Sequence, residues 1–286
     1  MGGFLDKPMT DKYQEDGEGN GIRYGVASMQ GWRVEMEDAH MAKINLGEAL
    51  KDWSYFAVFD GHAGWTVSVH CSEHLLETIM ATEEFQDDVK KAIHKGFLEL
   101  DSKMRSLPEM TSGEDKSGTT AVCAFVSPRN IYVANCGDSR AVLCRDKAPI
   151  FTTQDHKPVL PSERDRIVKA GGSVMIQRVN GSLAGSRDNM SIVLILFPGA
   201  PTPTPEAVMA EKELDATIER HVKEFLEQGD KQFSEILHSL MSIHVEGLPP
   251  GGGWASKRTL VERIFQELCP EQAESISQSC DFSFNY

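Results

Sequence analysis

Residues 53–59 (WSYFAVF) form an almost wholly apolar and aromatic run, as a strand buried on both faces requires. Such a strand cannot lie on a surface, because layers must cover it from both sides. The chain supplies partners of the right kind. Ala121–Val126 and Ile131–Asn135 read as two strands joined by the turn Ser127-Pro128-Arg129-Asn130. Ala39–Leu46, Ala141–Cys144, Ser173–Val179 and Ser191–Phe197 are further strand-like runs. Helical patterns interrupt them at Val67–Met80 and Val89–Met104. A short helix is predicted from Ser162, with Asp165 at capping spacing, to Gly171-Gly172. Hairpin-length links argue for antiparallel sheets with helices over their outer faces.

The pattern changes at Pro198-Gly199-Ala200-Pro201-Thr202-Pro203, which reads as a linker. Beyond it the chain is helical throughout. Thr204 and Pro205 suit the cap and first turn of a helix that Gly229 would stop. Phe233, Ile236, Leu237, Leu240 and Met241 share one helical face, as do Leu260, Val261, Ile264, Phe265 and Leu268, with Pro249–Gly253 as the loop between. The expected organisation is a polar, mobile arm over 1–21, a mixed helix–strand domain over 22–199, a helical domain over 200–270 and a disordered tail over 271–286.

Charge narrows the partners. Lys and Arg number 29 against 43 Asp and Glu, a net charge of −14, so no nucleic-acid partner is expected. No run of about 18 apolar residues is present to span a membrane. The start lacks a basic stretch followed by an apolar one, and the six cysteines contain no C-x-x-C pair. The expectation is a reduced intracellular protein in which Cys123 and Cys136 serve as small buried hydrophobes. Met1-Gly2 leaves N-myristoylation open, although Asp6 stands where that motif asks for Ser or Thr. One such chain would give only weak membrane association.

The chemistry concentrates at strand ends. Phe59-Asp60-Gly61-His62-Ala63-Gly64 ends the buried strand with a carboxylate flanked by a residue without a side chain, an arrangement that lets backbone oxygens approach a hard cation. Alone it is a weak signal, since Asp-Gly after a strand is more often a plain turn. Glu37 and Asp38 lead into another strand and point to different sides. Asp138 and Asp188 each sit in a glycine-containing turn beside a strand, with Arg140 and Arg187 adjacent. Four acidic turns interspersed with arginines suit Mg²⁺ or Mn²⁺ acting on phosphate.

Seven segments in this order, GWRVEMEDAH (31–40), FAVFDGHAG (56–64), SGTTAV (117–122), CGDSRAVL (136–143), QDHKP (154–158), AGGSV (170–174) and SRDNMSIVL (186–194), resemble the metal-dependent Ser/Thr protein phosphatases of type 2C. The match runs from Tyr24 to Phe197, and the helical region resembles that of the alpha and beta members. The resemblance implies an α+β fold, an antiparallel β-sandwich flanked by helices on both sides with a C-terminal helical bundle. It also implies two Mg²⁺ or Mn²⁺ ions and a weaker third. Asp60 would bridge two ions, the Gly61 carbonyl would bind one and Asp188 the other. Glu37 and Asp38 would hold waters, and Asp138 would serve the third ion. Arg33 would clamp the substrate phosphate, a bridging hydroxide would attack phosphorus without a phosphoenzyme, and His62 would protonate the leaving oxygen. Substrates would be phosphoserine and phosphothreonine proteins, met by a monomer in the cytoplasm and also the nucleus.

One departure stands out. Asn180-Gly181-Ser182-Leu183-Ala184 joins directly to Gly185-Ser186-Arg187-Asp188-Asn189, where the family pattern places further strands, helices and a metal-binding aspartate. The segment is missing cleanly between two intact motifs. Two expectations therefore stand side by side: an active metal-dependent phosphatase, or a catalytically impaired form that binds phosphoproteins or competes for partners.

Overall fold

The computed structural model describes residues 4–146, 148–174, 188–228, 232–249 and 253–270. Contacts divide the chain after Gly199 into two compact units.

The first unit opens with two long antiparallel strands, β1 (Phe4–Gly19) and β2 (Ile22–Arg33). Asn20 and Gly21 join them with φ of 54° and 75°, the pair of left-handed conformations that a two-residue hairpin needs. The Asn20 amide also donates to the Trp53 carbonyl at 3.2 Å and to Ser54 Oγ at 3.1 Å. Residues 4–19 are thus a paired strand and not the mobile arm that their polarity suggests. Backbone pairing with β2 orders them, and an edge strand exposed to water can remain polar.

Further along come β3 (Ala39–Ile44), β4 (Ser54–Phe59) and β5 (Gly61–His62), then helices α1 (Thr66–Met80), α2 (Val89–Arg105) and α3 (Pro108–Ser112). The strands β6 (Gly118–Thr119), β7 (Ala121–Val126), β8 (Ile131–Cys136), β9 (Val142–Arg145) and β10 (Ala148–Thr152) follow, then α4 (Pro161–Lys169) and β11 (Met190–Leu196). Two sheets form the frame, in the orders β1-β2-β11 and β3-β4-β7-β8, every neighbouring pair antiparallel.

The position of β4 accounts for its composition. It lies inside the four-stranded sheet, and Phe56, with Val126 of the neighbouring β7, points into a layer with Ile22, Tyr24, Val193 and Ile195 from the facing strands. Tyr55, Ala57 and Phe59 point the other way, into a cluster with Leu75 and Ile79 of α1 and Ala92 and Leu100 of α2. Both faces are covered, so beyond Ser54 and Tyr55 at its start the strand is wholly apolar until it ends. Gly96 lets α1 and α2 approach closely, since a Cβ there would lie 2.8 Å from the backbone Cα of Ile79.

Helices pack over the four-stranded sheet, as expected. The outward face of β11 is different: Ile192 and Leu194 are 61% and 54% exposed, and among the described residues β11 pairs with β2 alone. The junction at Ala184-Gly185 lies outside the described residues, as does most of the strand expected at 173–179; Ser173 and Val174 are not in a strand. Cys123 is buried, but Cys136 is exposed at the end of the edge strand β8 and is no core hydrophobe. The short helix starts at Pro161 behind an uncapping Leu160, because proline's fixed φ suits a first helical position and replaces the Ser162 cap.

The second unit comprises α5 (Pro205–Gln228), α6 (Phe233–Ser242) and α7 (Trp254–Leu268). Thr204 caps α5, its Oγ1 accepting from the Ala207 amide at 3.1 Å. Leu214, Ile218 and Val222 meet Phe233, Ile236, Leu240, Val261 and Phe265 in one core. Gly229 and the tail over 271–286 lie outside the described residues.

Candidate metal centre

The end of β4 delivers Asp60 to one edge of the frame. Its carbonyl accepts from the Thr120 amide at 2.9 Å and its amide donates to Thr120 Oγ1 at 3.3 Å, which fixes the backbone. Thr120 Oγ1 also lies 2.5 Å from Ser139 Oγ, so the Asp138 turn is tied to the same point. Burial pushes the Asp60 carboxyl up to about 6, and the negative charges of Asp38, Asp188 and Asp138 push in the same direction. Four carboxylates carried by separate turns therefore share one field.

The loop between β2 and β3 brings the rest. Burial opposes ionisation of Glu37, but the Arg33 guanidinium and the Gly64 amide outweigh it and hold its carboxyl below the usual range. Arg33 Nη2 donates to Glu37 Oε2 at 2.6 Å, and the Gly64 amide donates to Oε1 at 2.6 Å. Arg33 Nε lies 3.4 Å from Asp188 Oδ1. The Asp38 carboxyl is pushed up by burial and by Asp188 and Glu37, against a hydrogen bond from Ser191 Oγ at 2.6 Å.

Gly61 must be glycine. A Cβ there would lie 2.1 Å from the Glu37 carbonyl oxygen, so the two loops meet backbone to backbone. Ser68 Oγ of α1 donates to the same carbonyl. His62 is exposed beside Gly118, its partner across β5 and β6; a Cβ at 118 would lie 2.6 Å from His62 Nε2.

The structure thus brings Arg33, Glu37, Asp38, Asp60, Gly61, His62, Asp138 and Asp188 to the edge where β4 ends. Sequence reasoning missed the residue that joins them. Asn189 Oδ1 accepts from the Glu37 amide at 2.9 Å, while its Nδ2 donates to the carbonyls of Gln30 at 2.8 Å and Glu35 at 3.0 Å. It fastens the Arg33–Asp38 loop to the start of β11. Its signal lay in the SRDN stretch, but an asparagine between an aspartate and a strand looks like ordinary turn chemistry.

Among the described residues, no three of the ligating side chains converge into a ready-made cage for an ion. Their chemistry nevertheless fits a hard divalent cation: all donors are oxygens, and Asp60 is pushed up by burial first and then by three neighbouring carboxylates, whose negative charge a cation would offset. That shift has a pH consequence. A proton competes with the ion for Asp60, so Mn²⁺ affinity is expected to fall as pH drops below about 6, by up to about tenfold per unit from this group. Calorimetric Mn²⁺ titrations at pH 7, 6 and 5 check it, and a flat affinity would contradict it. Without metal the sign reverses. A carboxyl raised in the fold contributes stability when protonated, and that contribution is lost as pH rises through about 6.

A half-buried strand-end aspartate, three further carboxylates in its field and an arginine beside them define a fold and site suited to phosphoester chemistry at a metal. The sequence profile of Protein phosphatase 2C matches residues 22–188, and that of the Protein serine/threonine phosphatase 2C C-terminal domain matches residues 191–266. Protein phosphatase 1A of Bos taurus is 40% identical over 367 positions, covering 94% of this chain and 96% of that protein. Protein phosphatase 1B of Rattus norvegicus is 39% identical, covering 95% and 96%. Among solved structures, a serine-threonine phosphatase 2C from Toxoplasma gondii aligns with a TM-score of 0.47 at 21% identity over 59% of each chain.

The chain belongs to the protein phosphatase 2C family, whose members are metal-dependent protein serine/threonine phosphatases. The alignment with the bovine protein also measures the departure. Ninety-four per cent of 286 residues is about 269, so about 98 of the 367 positions have no counterpart here.

Proposed function

We propose that this chain hydrolyses phosphoserine and phosphothreonine in proteins, with Mg²⁺ or Mn²⁺ held at the end of β4. The observation that supports it is Asp60 at a buried strand end, with Asp38, Asp138 and Asp188 in its field and Arg33 alongside. Asp60, Asp188 and the Gly61 carbonyl would hold the ions, and Asp138 a weaker third. A bound divalent cation would offset phosphate charge and make water a better nucleophile.

The chain's own groups would do the rest. Glu37 and Asp38 orient water. Arg33 donates one N–H to Glu37 and forms a looser ion pair with Asp188 through Nε, leaving other donors for phosphate oxygens. As the water oxygen bonds to phosphorus and the ester P–O bond breaks, the departing serine or threonine oxygen needs a proton, and the exposed His62 donates it. No covalent phosphoenzyme is required.

Arg33→Ala is the test of the phosphate role. It is expected to raise KM for a phosphothreonine peptide about tenfold or more, the size of a lost charge-assisted contact, while Mn²⁺ affinity is kept. Unchanged KM with altered metal affinity would assign Arg33 to the carboxylates alone.

A second reading has its own observation. The roughly 98 missing positions support a catalytically impaired form that binds phosphoproteins or competes for partners. Such a form would bind phosphopeptide without turning it over.

A further inference from the structure

Helix α1 carries two histidines that the phosphatase reading does not use. His70 and His74 are one turn apart, their ring centroids separated by 4.3 Å and their planes inclined by 55°. The i, i+4 spacing stacks both imidazoles on one helix face. His74 is exposed and His70 half-buried, while Cys71 between them turns into the core. The order His70-Cys71-Ser72-Glu73-His74 has the H-x-x-E-H spacing, in which one helix face offers two imidazoles to zinc.

The surroundings favour a cation over a proton. Burial lowers the proton affinity of His70, and His74 lowers it further, so at neutral pH its ring nitrogen keeps a free lone pair. Glu73 and Glu109 of α3 supply negative charge at the same place. Glu73 Oε2 lies 4.0 Å from His74 Nε2.

We propose that His70 and His74 form a second cation site, taking Zn²⁺ or a similar borderline ion through two imidazole nitrogens across one turn of α1. Its donors differ in kind from those at the end of β4. Nitrogen ligands select Zn²⁺, Cu²⁺ or Ni²⁺, whereas carboxylates and carbonyls suit Mg²⁺ and Mn²⁺. Among the described residues no third ligating side chain converges on the pair, so water completes the coordination. The site staples a helix and is not a hydrolytic centre. Because α1 begins two residues after Gly64, the staple braces the helix that follows the Asp60–Gly64 loop.

The test uses the intact chain with millimolar Mg²⁺ present to occupy the carboxylates. Zn²⁺ is titrated to one equivalent while ¹H–¹⁵N spectra follow the histidine rings, and thermal melts are recorded with and without Zn²⁺. The ring signals of His70 and His74 are expected to shift together, and Zn²⁺ to raise the melting temperature. In His74→Ala the half-saturating Zn²⁺ concentration is expected to rise about tenfold or more, since two linked ligands outbind one, and the thermal shift to disappear. Shifts confined to other rings, or unchanged half-saturation in the His70→Ala/His74→Ala variant, would overturn the proposal. The wild-type spectra decide the matter even if a variant folds poorly.

Discussion

Asp60→Asn is expected to abolish metal-stimulated hydrolysis, lowering kcat by about 10³-fold or more, of the order seen when a key electrostatic group is removed from an active site. The substitution preserves the size of the side chain and the two backbone hydrogen bonds with Thr120. What it removes is one negative charge at the point where four carboxylates share a field. Removing that charge also relieves Asp38, Asp138 and Asp188, so the metal-free variant is expected to melt no lower than the parent. The pairing is diagnostic, because a loss of activity through unfolding would carry a loss of stability with it. Parallel melts and Mn²⁺-saturated turnover of the two proteins check both halves. Wild-type turnover in the variant would mean that the ions are held elsewhere.

The second large effect concerns the missing segment. A chain in which the corresponding segment of the bovine relative is restored between Ala184 and Gly185 is expected to melt higher and to bind Mn²⁺ more tightly. The stability gain follows from β11. Its outward Ile192 and Leu194 are more than half exposed, beside the partly exposed Met190, and among the described residues one edge of the strand has no neighbour. Unpaired edges and open apolar faces are what added strands and helices cover. At roughly 25 cal/mol per Å², covering 200 Å² of such surface contributes about 5 kcal/mol, comparable with the whole stability of many domains. The tighter binding follows from the aspartate that the family pattern places in that segment, one more charged oxygen for the ions. Melting curves and calorimetric titrations of the two chains test it. Equal melting temperatures and equal affinities would mean that the remaining carboxylates suffice.

How much of this was legible beforehand varies with the element. The β4 run and the β7–β8 hairpin could be read to within a residue, because total burial and a four-residue turn leave strong local marks. The helices α1, α2 and α5 were legible from their apolar spacing and, for α5, from Thr204-Pro205. The strand β1 was not. Its side chains are mostly polar, and its order comes from pairing with β2, an interaction that residue composition does not record. Its one local mark was Asn20-Gly21, the dipeptide favoured in two-residue hairpins. At the site, strand-end acids in glycine turns pointed to the carboxylates, and the family resemblance supplied the roles. The fasteners escaped notice. Asn189, Ser191 and Thr120 act through hydrogen bonds spanning up to 159 residues of sequence, which no local pattern encodes.

The acids gathered at the end of β4 are expected to serve a working phosphatase despite the missing segment. Hydrolysis of a phosphothreonine peptide by the intact chain, with and without Mn²⁺, tests that claim most directly. Phosphate release is expected to rise with Mn²⁺, to disappear on chelation and to be absent in Asp60→Asn. Peptide binding with no Mn²⁺-dependent release at any metal concentration would contradict it and leave the impaired, phosphoprotein-binding form in its place.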